Sequence, residues 1–172
     1  PYQGKNPNTK HEEYGVGASL VLQFSEALTE AHPGQYHFVF NNFFTSIALL
    51  DKLSSMGHQA TGTVRKDHID KVPLESDVAL KKKERGTFDY LIDGKGNIAC
   101  RWNDNSVVTV ASSGAGIHPL CLVSRYSQKL KKKIQVQQPN MIKVYNQFMG
   151  GVDRADENID KNRASIRGKK WY

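Results

Sequence analysis

Cysteine is scarce in this 172-residue chain. Cys100 and Cys121 stand 21 positions apart with no Cys-x-x-Cys. That excludes a disulfide scaffold and a cysteine zinc knuckle, and it fits a reducing compartment. No apolar run approaches the roughly 18 residues that a spanning helix needs, so no membrane partner is expected. The six histidines are scattered, and none pairs at the spacing of a helical metal motif. No charged-then-apolar leader opens the sequence, which starts Pro1-Tyr2-Gln3 without Met; a piece of a longer protein, or a processed one, is the expectation. Acidic residues are also few, and unevenly so. Residues 1–60 carry 3 Lys and 5 acids, net −2, whereas residues 61–172 carry 21 basic and 12 acidic residues, net +9.

What is present points to a polyanionic partner. The basic residues come in blocks: Lys81, Lys82, Lys83 with Arg85; Lys129 with Lys131, Lys132 and Lys133; and Arg163, Arg167, Lys169 and Lys170. Such blocks favour phosphate contacts that ignore base sequence and weaken with salt. No block is interleaved with aromatics, which argues against a platform for stacking single strands.

The chain reads as α/β. Apolar residues at helical spacing (Leu20, Val21, Phe24, Leu28, Ala31) predict an inward face on a helix over 15–31, closed by Pro33-Gly34. Tyr36 to Phe40 predicts a buried strand, followed by a helix from about Ser46 with Thr45 as its cap and Ile47, Leu50 and Leu53 inward. Gln59 to Val64 predicts a second strand, parallel to the first and beside it. Residues 65–84 read as a charged connector. Strands at 87–92, 98–102 and 107–110 around the turn Asp93-Gly94-Lys95-Gly96-Asn97 read as an antiparallel insertion without its own helix. Residues 113–139 read as loop. From Met141 a helix returns, with Tyr145, Phe148, Val152 and Ile159 expected on the sheet.

Two stretches invite chemistry. Phe38 to Ser46 ends a strand in polar residues, at the carboxyl edge where open α/β sheets place their sites. Met149 to Asp156 contains Gly150-Gly151, which each cost about 1 kcal/mol in a helix and so call for a close neighbour, near Asn41. It also places Asp153 and Asp156 on one helical face, where carboxylates suit a hard divalent cation or simply solvent.

Phe38–Ser46, Ala60–Lys66 (Ala-Thr-Gly-Thr-Val-Arg-Lys), Glu84–Tyr90 (Glu-Arg-Gly-Thr-Phe-Asp-Tyr) and Tyr145–Asp156 together resemble the signature segments of the piggyBac transposase family, in the family's order. The resemblance runs nearest to its domesticated members, the second of that numbered series in particular. It implies an RNase H-like (DDE transposase) core that cuts and joins DNA with two divalent ions, Mg²⁺ or Mn²⁺, held by three aspartates. Carried over, the third acidic position is Asp153, with Asp156 beside it, and the second is Asn41. The first lies upstream of this chain. The implied organisation is a first part of a partial core over 1–66, lacking the first strand; a β-rich insertion with basic loops over 67–139; and the helix of the third acidic position in 140–172.

An amide offers one neutral oxygen and cannot bridge two cations about 4 Å apart. The resemblance therefore implies a fragment of a domesticated transposase in the nucleus, inactive in cutting, with no tightly bound metal and a residual, weak site at Asp153 and Asp156. A basic surface for sequence-independent DNA binding remains. The alternatives are an active metal-dependent transposase or nuclease, and a non-catalytic relic or protein-interaction scaffold.

Overall fold

The computed structural model describes residues 10–65 and 72–162, the side chains of 151–156 excepted. A single 3-10 turn (Glu12–Tyr14) leads into α1 (Val16–Ala31), β1 (His37–Phe40), α2 (Ile47–Ser55) and β2 (Gln59–Thr63). Then come α3 (Asp77–Lys81), β3 (Phe88–Ile92), β4 (Ile98–Asn103), β5 (Val107–Ser112), β6 (Cys121–Ser127), β7 (Lys132–Gln138) and α4 (Asn140–Asn162).

The strand–helix–strand unit forms as its sequence predicts. β1 and β2 are parallel neighbours, registered from His37 opposite Gln59 to Phe40 opposite Gly62. The helix between them is capped by Ser46 rather than Thr45: the Ser46 hydroxyl accepts the Leu49 N–H at 3.2 Å. Thr45 is fully buried and turns its hydroxyl onto the Asn41 carbonyl at 2.8 Å instead.

The expected hairpin is also present. β3 and β4 pair antiparallel around a turn whose Asp93 Oδ1 accepts the N–H groups of Lys95 at 2.8 Å and Asn97 at 2.9 Å. These strands do not stand apart from the first two, however. β5 pairs antiparallel with β2, Thr61 facing Ser112, so one five-stranded sheet runs β1-β2-β5-β4-β3. The Thr61 and Ser112 hydroxyls bond across that seam at 2.6 Å.

Residues 113–139 are not all loop. β6 and β7 form a second, two-stranded antiparallel sheet. Lysine and glutamine obscure it in sequence, because both suit solvent better than a pleated, half-buried surface. The connector before β3 likewise holds a short helix, α3, capped by Ser76.

Alternation along β4 and β5 gives the main sheet two covered faces. Ala99 and Ala111 join Ala18, Leu22, Leu49, Leu50 and Leu53 under α1 and α2. Cys100, Trp102 and Val110 join Val136, Met141 and Ile142 under β7 and the start of α4. The Trp102 indole N–H closes this second layer by donating to the Gln137 carbonyl at 2.8 Å.

Two helix faces differ from expectation. On α1 the buried side is Gly17, Ala18, Ser19, Leu22 and Ser25, while Leu20 and Phe24 point outward. The approach is too close for large side chains: a Cβ on Gly17 would stand 2.7 Å from the Phe43 carbonyl oxygen. On α4 the buried residues among those described are Met141, Ile142 and Met149, whereas Phe148 and Ile159 are exposed and the Val152 side chain lies outside the described residues. Among the described residues no helix is long and apolar enough to cross a membrane.

Candidate nucleic-acid interface

β1 and β2 run parallel, so their carboxyl ends share one sheet edge. At that edge Asn41 closes an Asx turn: its side-chain Oδ1 accepts the Phe43 N–H at 3.0 Å, and its carbonyl accepts the Phe44 N–H at 3.2 Å. Just past the end of β2, the Arg65 guanidinium lies over the half-exposed Phe43 ring, 5.7 Å from its centroid. Sequence reading set Arg65 inside a family segment without giving it a role.

Asp153 and Asp156 lie on α4. The early turns of that helix approach the same strands, with the Tyr145 hydroxyl 3.4 Å from Thr63 Oγ1. The Asp153 and Asp156 side chains, and the expected meeting of Asn41 with Asp153, lie outside the described residues. A Cβ on Gly150 would meet nothing within 4 Å among the described residues. Among the described residues no group of three or more His, Cys, Asp or Glu is arranged to hold a metal ion.

The three basic blocks fare differently. In the first, Lys81 donates to the Asn105 carbonyl, Lys83 pairs with Glu75 at 2.7 Å and Arg85 pairs with Asp104 at 2.5 Å. Those contacts hold the loops before β3 and after β4 together; Lys81 and Lys82 are exposed with no ion pair among the described residues, and Lys82 has no side-chain hydrogen bond there either. The second block crowns the β6–β7 hairpin. Ser127 pairs with Lys132 and Tyr126 with Lys133, which leaves residues 128–131 as the turn. Lys131 sits there at φ 48°. Lys129, Lys131, Lys132 and Lys133 are all exposed, and no acid pairs with them among the described residues. The third block, Arg163, Arg167, Lys169 and Lys170, lies outside the described residues.

Sequence reading also passed over Arg125 and Lys143, which stand alone rather than in runs. Arg125 on β6 donates its Nε–H to Asp104 at 2.9 Å. Lys143 lies on the first turn of α4, exposed. Only the fold brings either one near other basic residues.

Comparison with known proteins bears on the whole chain. The family described as Transposase IS4 matches residues 1–172. Human piggyBac transposable element-derived protein 3 is 98% identical over 172 residues, all of this chain and 29% of that protein. A human chimeric ERCC6-PGBD3 protein is also 98% identical, with 16% of its length covered. Human piggyBac transposable element-derived protein 2 is 42% identical over 173 aligned positions and 29% of its length. Of the two numbered proteins, the third is therefore nearer than the second. A cryo-EM structure of a piggyBac transposase synaptic complex with hairpin DNA superposes on 93% of this chain and 30% of that one, with TM-score 0.58 and 25% identity. The chain thus spans under a third of the length of the piggyBac-derived relatives it matches.

Proposed function

Since the chain belongs to the piggyBac branch of the IS4 transposase family, we propose that it is part of an RNase H-like core that no longer cuts DNA but still holds it through a basic surface. The parallel β1–α2–β2 unit with α4 beside it supports the core assignment. In that organisation 1–66 and 140–172 supply the core, without its first strand, and 67–139 is the insertion between them in sequence. The related transposase was solved in a synaptic complex with hairpin DNA, which supports DNA as the partner; the nucleus is the compartment proposed with it.

The loss of cutting rests on Asn41. At the strand end where the family's second aspartate belongs, this side chain is neutral, and its one acceptor oxygen already takes the Phe43 N–H, leaving a single lone pair for a cation. That donor set does not fit Mg²⁺, which demands several well-placed oxygens and gives up water reluctantly. Asp153 would supply a single carboxylate, with Asp156 one turn on. The expected result is no plasmid nicking with Mg²⁺ or Mn²⁺; metal-dependent nicking abolished by Asp153→Ala overturns the assignment.

The observation that carries DNA binding is the unpaired hairpin tip. Among the described residues Lys129, Lys131, Lys132 and Lys133 have no acid to neutralise them, whereas Lys83 and Arg85 do. Four phosphate contacts from this tip make affinity fall by about a hundredfold between 50 and 200 mM salt. Replacing Lys131, Lys132 and Lys133 by Gln should weaken binding alike for all sequences and reduce the salt slope by about three. Binding that is absent at low salt, or that ignores salt, refutes the DNA reading.

A further inference from the structure

Behind the hairpin tip, a groove of about 610 Å³ opens between the inner face of β6–β7 and the first turns of α4. Its walls are Val123 and Arg125 on β6, Gln138 at the end of β7, and Lys143, Asn146 and Gln147 on α4. The three α4 residues are spaced i, i+3 and i+4, so they share one face of the helix. Among the described residues no acid lines the groove.

One atom in this wall is unaccounted for. Gln138 is only 4% exposed, and its Nε2, sealed from solvent, has no hydrogen-bond partner among the described residues. A buried N–H left unpaired costs about 1–3 kcal/mol, so it is rare unless something comes to meet it. The neighbouring groups are donors too. Lys143 is exposed, with no ion pair among the described residues. Arg125 gives its Nε–H to Asp104 at 2.9 Å, while its Nη1 has only a 3.5 Å contact to the Ser124 carbonyl. Asp104 is also held by Arg85, so one carboxylate faces two guanidiniums and the junction keeps a positive charge. The backbone N–H groups of the first turn of α4 are not the attraction. Those of Asn140 and Met141 already donate to Ile117 and Gly116, and those of Ile142 and Lys143 to Pro139.

We propose that this groove binds a phosphate group, with Lys143 Nζ and the Arg125 guanidinium as its donors, joined by Gln138 Nε2 once that sealed side chain turns out of the wall. A tetrahedral group with several acceptor oxygens can satisfy donors on both walls at once, and two cationic donors give the charge-assisted bonds that phosphate favours. As a phosphodiester of the duplex backbone, it would follow the track laid by the hairpin tip. That assignment rests on the DNA reading above; the phosphate site itself does not.

The test is nuclear magnetic resonance on the full 172-residue chain labelled with ¹⁵N. Inorganic phosphate, then a short duplex, is titrated while the Gln138 side-chain amide and the Lys143 backbone amide are followed, with chloride at equal ionic strength as control. Both signals should shift saturably with phosphate and with duplex but not with chloride. Gln138→Met removes the amide at similar volume, and Lys143→Gln removes an exposed charge. Each should weaken both ligands by about two- to tenfold. Gln138→Met should leave the thermal midpoint unchanged or higher, because an unpaired buried donor is gone.

Signals that move with neither ligand overturn the groove. Duplex binding that both variants leave intact, with no response to phosphate, also overturns the groove and leaves the hairpin tip as the DNA contact. Phosphate binding that both variants weaken, in a chain that binds no duplex, supports the groove and overturns the DNA reading.

Discussion

Arg125 Nε donates to Asp104 Oδ2 at 2.9 Å, across the junction where the small sheet meets the large one. The other carboxylate oxygen takes Arg85 at 2.5 Å, and Arg85 also reaches the Tyr126 carbonyl at 3.0 Å. One acid thus ties the loop before β3 and the strand β6 to the end of β4. Asp104→Ala leaves two half-buried guanidiniums facing each other. Their partial exposure keeps the cost below that of a fully buried pair, at about 1–3 kcal/mol. Urea unfolding should show that loss. Hydrogen exchange should accelerate more in β6 and β7 than in β1 and β2, and equal acceleration everywhere argues against a local clasp.

Gly62 and Gly150 should respond oppositely to alanine. A Cβ on Gly62 would lie 2.8 Å from the Phe40 carbonyl oxygen, where neither strand can yield. Gly62→Ala should therefore cost about 1–3 kcal/mol through overpacking. Gly150 is helical, with open space around it among the described residues, so Gly150→Ala should stabilise by about 1 kcal/mol from helix propensity alone. Thermal melts of both variants decide. Destabilisation by Gly150→Ala would reveal a neighbour that needs the bare backbone.

Cys100 should be silent to thiol reagents. It is fully buried in the layer under β7, and burial, with the Asp89 charge adding to it, pushes its thiol up to about 12. Maleimide at neutral pH should label Cys121 alone in the folded chain and both cysteines in urea. The pH dependence follows from the same burial. The unfolded thiol ionises near 9.0 and the folded one only near 12, so the unfolded chain loses the proton first. Stability from this group is intact below pH 9 and falls as pH climbs from there toward 12. Cys100→Ala, whatever it costs at neutral pH, should flatten that alkaline decline.

Asn41→Asp should leave the fold nearly unchanged, within about 0.5 kcal/mol, because a carboxylate closes the same turn onto the Phe43 N–H. The added charge should strengthen Mn²⁺ binding in calorimetric titration without restoring nicking, since two-metal cutting needs further carboxylates. A variant that gains no heat of Mn²⁺ binding identifies Asn41 as a turn-former alone.

The parallel β1–α2–β2 unit and the β3–β4 hairpin were legible because each is local. An apolar run, a capped helix and a Gly-rich turn lie within a few residues of the partners they serve. The α1 face was not legible. Hydrophobicity selects Leu20 and Phe24, yet the packing selects Gly17, Ala18 and Ser19, because the Phe43 backbone comes too close for anything larger. β7 was hidden by its own lysines, which face solvent and carry no burial signal. The groove at Gln138 was invisible for another reason: Arg125 and Lys143 are 18 positions apart in sequence, and only the hairpin's fold brings them to one groove.

The seam between β2 and β5 also governs how the molecule assembles in time. Thr61 and Ser112 are 51 positions apart, and closing a loop of that length costs about 3–4 kcal/mol of chain entropy before any contact offsets it. The β3–β4–β5 meander needs no such closure, nor does the β1–α2–β2 unit, so each can condense early. Their docking along the Thr61–Ser112 edge is then the slow step. Because the β3–β4 turn is already formed when that step is reached, substitutions that weaken it should mainly retard refolding, while those on the Thr61–Ser112 edge should divide their effect between slower refolding and faster unfolding.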